Sequence, residues 1–245
     1  MRTLVLALAA TILLSGCTSA SRPQSAASET RHIKPSRAPR SPAVPRAKLA
    51  FQASAARLSG AVRREVVTAH EWHPGCPVPL SGLRLLTLRY WGFDRRAHWG
   101  QLVVNAGAVG PLTGAFRRLY ALHFPIHHMA LSDEYGPPSA RPSDVTASFE
   151  CRQAVPSPCT GGTGTGSWSE HAYGEAVDVN PMENPYVGCG MTRDRMALSY
   201  LDRSRVRRGM ATPAVVAAFR SVGWGWGGSW AGSTKDYMHF SASGH

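Results

Sequence analysis

The sequence predicts an α+β fold, in which a single domain carries a small antiparallel sheet flanked by helices. Stretches with apolar residues at helical spacing are mixed with short runs rich in Leu, Val and aromatic residues, which are typical of strands. Helices and hairpin-like strands do not alternate strictly, and this favours α+β over a parallel α/β sheet. A chain of 245 residues, 43% of them hydrophobic, is long enough to bury such a core.

The first half of the domain contains one predicted helix, two predicted strands and a second helix. Apolar residues near helical spacing indicate a helix within 49–69. The runs LRLLTLRYW (83–91) and QLVVN (101–105) indicate strands. Pro111 then opens a helix that extends to about His123, because proline is favoured in the first turn of a helix.

The second half is predicted to contain short strands and one further helix. PIHHMALSD (125–133) is interpreted as a strand, and EAVDV (175–179) alternates as a half-buried strand does. Thr212 and Pro213 form an N-cap and first-turn pair, so a helix begins there and stops at Gly223. KDYMHFSAS (235–243) is predicted to be a final short strand.

The first 17 residues predict export. One Arg is followed by an apolar run, Leu4–Leu14, that is too short to span a bilayer, and then by small residues. This order is typical of a secretory signal peptide. The ending LSGC resembles a bacterial lipobox, which implies cleavage before Cys17 and lipid attachment to it; an ordinary signal peptide is the alternative. We therefore expect a lipid anchor on the outer face of the cytoplasmic membrane, in the cell wall space.

Residues 18–48 are predicted to be a disordered tether, and the folded domain to cover 49–245. The tether is rich in Ser, Ala, Pro and Arg and has almost no large apolar residue to bury. The net charge of +12 attracts anionic partners, for which acidic wall polymers and lipid headgroups are candidates. Nucleic acid is excluded as a partner by the predicted export.

Export also bears on the cysteines. With Cys17 set aside, Cys76, Cys151, Cys159 and Cys189 form an even set in an oxidising compartment, so two disulfides are expected. Three pairings are open; we favour Cys76–Cys151 and Cys159–Cys189. A zinc–thiolate cluster is the alternative, although no C-x-x-C spacing supports it.

Two pairs of His and carboxylate indicate a metal site. His171 and Asp178 lie either side of a glycine in SEHAYGEAVDV, and Asp236 and His239 lie in DYMHF. A buried carboxylate inside an apolar alternation is costly unless a cation meets it. Two His and one carboxylate are a common catalytic zinc set that leaves the fourth position for water. His171, Asp178 and His239 are the candidate ligands, and Asp236 remains free to act as a general base.

These residues also carry a family resemblance. The pattern S-x-H-x-x-G-x-A-x-D begins at Ser169, and an acidic-x-x-His ending follows the run GWGWGGSW. Together they resemble the zinc D-alanyl-D-alanine carboxypeptidases of peptidoglycan metabolism, which include vancomycin-resistance D,D-carboxypeptidases and L-alanyl-D-glutamate endolysins. The resemblance covers roughly 75–240, including GCPV, YWGFD, FECR and NPYV. It implies a Hedgehog/D,D-peptidase-like fold.

The resemblance implies a role for each matched residue. His171, Asp178 and His239 would bind Zn²⁺, and Asp236 would take a proton from water, although the family more often has Glu there. Arg152, in FECR, would face the scissile carbonyl oxygen or the substrate carboxylate.

Ser169 would orient the substrate or the ligand loop, and Trp224 and Trp226 would wall the cleft. The expected activity of this zinc metallopeptidase is removal of the terminal D-alanine from peptidoglycan stem peptides by a monomer. An endopeptidase of the L-alanyl-D-glutamate type and an inactive wall-binding module are the alternatives.

The adjacent His127 and His128 point to opposite faces of a strand and are interpreted as structural.

Overall fold

The computed structural model describes residues 50–132, 144–162 and 164–245. The predicted signal peptide (1–17), with its lipidation site Cys17, and the predicted tether (18–48) lie outside these residues. Within the described part of the chain, no helix combines the length and apolar character needed to cross a membrane.

Helices and short strands are mixed along the chain, which confirms the α+β class. The helices are α1 (Gly60–Thr68), α2 (Val109–Ala121) and α3 (Pro213–Arg220). The strands are β1 (Ala53–Arg57), β2 (Leu83–Gly92), β3 (Ala97–Asn105), β4 (Pro125–Ile126), β5 (His128–Met129), β6 (Val145–Thr146), β7 (Ala176–Asp178), β8 (Tyr186–Val187), β9 (Gly225–Trp226), β10 (Lys235–Asp236) and β11 (His239–Ser241).

The largest sheet has the order β1-β2-β3, with antiparallel pairing throughout, and β4 adds to β2 in parallel. Its long strands alternate between buried and more exposed positions, as expected when one face of a sheet covers a core. Helices α2 and α3 pack against each other, and α2 covers β2.

An aromatic stack joins the helices to the smaller sheet that carries the polar site. Phe219 of α3 meets Phe116 of α2 edge to face, with ring centroids 6.1 Å apart. Phe219 also stacks on Phe240 of β11 at 3.9 Å. All three side chains are fully buried, and burial of a side chain of this size contributes roughly 1.5–3 kcal/mol. Because Phe240 is held in the core, its neighbour His239 faces the opposite side of β11.

The smaller sheets bring distant parts of the chain together. Strand β11 lies between β7 and β9, with antiparallel pairing on both sides. Strand β10 pairs with β8 in a separate two-stranded sheet, and β5 pairs with β6 in parallel.

Both favoured disulfides are confirmed. Cys76 is bonded to Cys151, and Cys159 is bonded to Cys189. The first bond fixes the residue that precedes Arg152, and the second joins the glycine-rich loop to the segment that follows β8.

The structure corrects several predicted boundaries in the first half of the domain. The predicted helix at 49–69 begins only at Gly60, because residues 53–57 form a strand that pairs with β2. Ser59 caps the helix by accepting a hydrogen bond from the Val62 amide. Sheet pairing here overrides the helix propensity of an alanine-rich stretch. Strand β3 begins four residues before the predicted 101, and α2 begins at Val109 rather than Pro111.

Two predicted strands are each divided in the structure. The segment predicted at 125–133 contains β4 and β5, separated by His127, and Asp133 lies outside the described residues. The segment predicted at 235–243 contains β10 and β11, which pair with different sheets. The helix predicted from Pro213 is confirmed, with Thr212 accepting from the Val215 amide.

Replacement of both Cys76 and Cys151 by Ser should lower the free energy of unfolding by about 2–4 kcal/mol, because the bond closes a long loop. The loop spans 75 residues, against 30 for Cys159–Cys189. Urea unfolding should therefore show a smaller loss for the Cys159→Ser/Cys189→Ser variant. Equal midpoints for wild type and the Cys76/Cys151 variant would show that this bond contributes no stability.

Candidate metal and active site

Two of the predicted ligands lie opposite each other in one pair of strands. Asp178 ends β7 and His239 begins β11, and the antiparallel register pairs them directly. Directly opposed residues have Cβ atoms about 4.5–5.5 Å apart on the same face of a sheet. Asp178 Oδ1 accordingly lies 3.3 Å from His239 Nδ1. Val177, beside Asp178, is buried on the core side, as the alternating sequence predicts.

The third predicted ligand comes from the turn before β7. His171 lies in a short 3₁₀ helix, Glu170–Tyr173, which Ser169 caps by accepting a hydrogen bond from the His171 amide at 3.3 Å. The helix ends at Gly174, whose φ of 66° lies in the left-handed region. A Cβ there would lie 2.6 Å from the backbone nitrogen of Asn105, so only glycine fits this turn.

The three donor atoms form a nearly equilateral triangle. His171 Nε2 lies 3.1 Å from His239 Nδ1 and 3.3 Å from Asp178 Oδ1, and the third edge is also 3.3 Å. Tetrahedral zinc with bonds of about 2.0–2.1 Å requires ligand atoms about 3.3–3.4 Å apart. Both imidazoles are buried, at 4% and 5% exposure. The donor set and its spacing therefore fit a zinc ion.

The outer nitrogens of both imidazoles bond to backbone carbonyls. His171 Nδ1 donates to the carbonyl of Ser148 at 2.6 Å, and His239 Nε2 donates to the carbonyl of His245 at 3.1 Å. These bonds select the tautomers in which His171 Nε2 and His239 Nδ1 carry lone pairs. Two lone pairs and a carboxylate oxygen then converge on one point. A cation at that point would satisfy all three.

The side chains of the triad shift one another's pKa. Burial alone would raise the pKa of Asp178, yet the two imidazoles hold it well below its usual range. Burial opposes protonation of His171, but the charge of Asp178 outweighs it and raises the pKa of His171. The carboxylate is therefore ionised at neutral pH and available to a metal ion.

Asp236 lines the same cleft as the triad. It lies in β10, opposite Tyr186 of β8, whereas His239 lies in β11. Residues three apart in one continuous strand face opposite sides. The break at 237–238 therefore allows Asp236 and His239 to face one cleft.

The environment of Asp236 favours proton transfer near neutral pH. Burial, and then the charge of Asp178, raise the pKa of Asp236 to about 7. Its Oδ1 atom is buried and accepts no hydrogen bond from the described residues. A carboxylate with a free oxygen and such a pKa suits a general base.

Arg152 also lines the cleft, and two neighbouring interactions hold its backbone. Cys151 is fixed by its disulfide, and the carbonyl of Arg152 accepts from the Ser169 amide at 3.1 Å. Its Nε donates to Glu150 Oε2 at 2.5 Å. Burial opposes the charge of the guanidinium, but Glu150 outweighs it and the pKa of Arg152 is raised. The side chain therefore presents a permanent positive charge to the cleft.

The cleft has a volume of about 320 Å³, within the usual range for small-ligand sites. The predicted tryptophan walls are wrong: Trp224 is buried in the main core, and Trp226 packs against that core and donates to the Tyr237 carbonyl. The indoles that line the cleft are those of Trp168 and Trp230.

Several contributors to the site were missed in the sequence. The carbonyls of Ser148 and His245 orient the imidazoles, but a main-chain acceptor leaves no residue-type signal. Tyr186 belongs to the NPYV stretch, so its presence in the cleft could have been anticipated from the resemblance.

A family model described as D-alanyl-D-alanine carboxypeptidase matches residues 163–242. No curated protein and no solved structure matches the chain. The matched segment contains His171, Asp178, Asp236 and His239, and it ends before His245. The match confirms the resemblance inferred from the sequence: over this segment, the chain is similar to the D-alanyl-D-alanine carboxypeptidase family of zinc peptidases.

Proposed function

We propose that the protein is a zinc-dependent D-alanyl-D-alanine carboxypeptidase that trims peptidoglycan stem peptides. The triangle of donor atoms formed by His171, Asp178 and His239 carries this proposal, because its edges of 3.1–3.3 Å suit tetrahedral zinc. The family match over 163–242 supports the substrate class. We also propose that the domain has the Hedgehog/D,D-peptidase-like fold that the resemblance implies.

The proposed reaction is hydrolysis of the terminal peptide bond. Zn²⁺ held by the three ligands would supply Lewis acidity, which polarises a carbonyl and lowers the pKa of water. Asp236 takes a proton from the attacking water and passes it to the amino group of the departing D-alanine. The products are a shortened stem with a new carboxylate and free D-alanine, so one water is consumed for each bond cleaved.

Arg152 and Ser169 complete the proposed substrate site. The guanidinium of Arg152 can hold either the scissile carbonyl oxygen as negative charge develops or the terminal carboxylate of the substrate. Ser169 caps the helix that carries His171, so its proposed role is to position that ligand loop.

The proposed setting is the cell wall space. A lipid on Cys17 and a tether over 18–48 would hold the enzyme, as a monomer, beside the wall polymer from the outer face of the cytoplasmic membrane. The signal-like sequence supports this location. The net charge of +12 supports an affinity for anionic wall polymers.

A synthetic pentapeptide stem ending in D-Ala–D-Ala should lose one alanine, and mass spectrometry of the products measures this loss. Chelation should abolish the cleavage and added Zn²⁺ should restore it. Two larger fragments would instead indicate an endopeptidase of the L-alanyl-D-glutamate type. No cleavage with zinc present would contradict the proposed activity and favour a wall-binding module.

Asp236→Asn should lower kcat by about 10²–10⁴, the usual contribution of acid–base catalysis, because the amide cannot accept the proton. Zinc content should stay unchanged, and Asp236→Glu should retain part of the activity. Asp202→Asn, at an exposed carboxylate, is the matched control. Full activity in Asp236→Asn would remove the residue from the proposed mechanism.

A substrate with an amidated C-terminus separates the two roles of Arg152. If the guanidinium binds the terminal carboxylate, amidation should raise KM for wild type by about tenfold or more but leave KM of Arg152→Ala unchanged, since a charge-assisted hydrogen bond contributes about 1.5–3 kcal/mol. Equal sensitivity of both proteins to amidation would assign Arg152 to the scissile carbonyl instead.

A further inference from the structure

A second cluster of metal-ligating side chains lies outside the cleft. It consists of His127, Asp144 and Glu183, whose ligand atoms all lie within 4.8 Å of one another. His127 Nε2 is 3.4 Å from Asp144 Oδ2 and 3.2 Å from Glu183 Oε1. These separations match the edges of about 3.3–3.4 Å that tetrahedral coordination requires.

Strand pairing and a turn bring the three residues together. In the parallel pair of β5 and β6, His128 is opposite Val145, so the preceding residues His127 and Asp144 are neighbours. Glu183 belongs to a turn that follows β7 and is closed by a hydrogen bond from the Asn184 amide to the Asn180 carbonyl. The cluster therefore joins three segments that are distant in the chain.

The two carboxylates are buried without sufficient donors. Asp144 is 3% exposed and Glu183 is 2% exposed. Asp144 Oδ1 accepts from the Met182 amide and Glu183 Oε1 accepts from the Tyr200 hydroxyl. The second oxygens, Oδ2 and Oε2, accept no hydrogen bond from the described residues. Buried oxygens of this kind are costly unless a cation or proton meets them.

The two carboxylates of the cluster lie close enough to repel each other when both are ionised. Burial and the nearby charge of Glu183 raise the pKa of Asp144 to about 7, so the two carboxylates repel each other. The guanidinium of Arg208 lies 5.0 Å from the ring centroid of Phe93, and that of Arg203 donates to the Glu183 carbonyl. With both carboxylates ionised, a divalent cation beside neutral His127 would balance their two negative charges.

We propose that His127, Asp144 and Glu183 form a second site for a divalent cation of the zinc type, separate from the cleft. One imidazole and two carboxylates are ligands that Zn²⁺ accepts, and the half-exposed ring of His127 is the side open to solvent. The site is structural. It holds the turn after Asp178 to β4 and β6, where the Asn180 side chain already donates to the Pro125 carbonyl at 2.8 Å.

Zinc counts in four proteins test the proposal. After incubation with Zn²⁺ and dialysis, wild type should hold about two equivalents, and Asp144→Asn about one. His171→Ala/His239→Ala, which lacks two ligands of the first site, should also hold about one, and the three changes combined should hold none. Added Zn²⁺ should raise Tm of the His171→Ala/His239→Ala protein but not of the combined variant.

Control variants keep the result interpretable. His127→Gln should lose the same equivalent as Asp144→Asn, and it decides the question if Asp144→Asn fails to fold. His98→Gln removes an exposed His that pairs with Asp94, and it should hold as much zinc as wild type.

The second site is overturned if Asp144→Asn and His127→Gln hold as much zinc as wild type, because the cluster is then an ion pair only. It is also overturned if His171→Ala/His239→Ala holds no zinc. Failure of the first site has a different signature: His171→Ala/His239→Ala would hold as much zinc as wild type. The two proposals can therefore fail separately.

Discussion

The cross-strand pair of Asp178 and His239 is the constraint on which the site depends. The register of β7 and β11 places two donor atoms 3.3 Å apart. The register is fixed in turn by the core, because Val177 and Phe240 must face the helices. A slip of one residue would turn Asp178 toward the core, where an ionised carboxylate could not be accommodated. Hydrophobic packing on one face of the small sheet therefore sets the polar geometry on the other.

The remaining parts of the site are positioned by short irregular segments. A 3₁₀ helix and the left-handed Gly174 bring His171 above the strand pair, and a disulfide at Cys151 anchors the loop that carries Arg152. Such segments leave few alternative positions for the side chains, because each is tied to the sheet by backbone hydrogen bonds. One of these bonds runs from the backbone amide of Asn105, at the end of β3, to the Gly174 carbonyl. The larger sheet thus supports the smaller one next to the helix that carries His171.

The sequence predicted the elements better than their junctions. The alternation of EAVDV and the N-cap of Thr212 depend on neighbouring residues alone, and both appear in the structure. The helix predicted over 49–69 was partly wrong because pairing with β2, which decides the conformation of 53–57, is a long-range interaction. In the site, residue types and spacing selected the side chains that line the cleft. The carbonyls that orient the imidazoles, and the indoles that line the cleft, depend on tertiary packing and could not be derived from spacing.

The final predicted strand, 235–243, is divided into β10 and β11 in the structure, and this division changes which side chains can meet in the cleft. An unbroken strand over 235–243 would place Asp236 and His239 on opposite faces, so the proposed base could not reach the cleft of the proposed ligand. The break moves Asp236 to β10, beside Tyr186, and leaves His239 paired with Asp178. His127 gives a second example, because it lies between β4 and β5 rather than within one strand. The alternation of faces in a continuous strand, on which its interpretation as structural was based, therefore does not apply to it. In both places, an interruption of regular pairing puts a titratable side chain beside carboxylates from another segment.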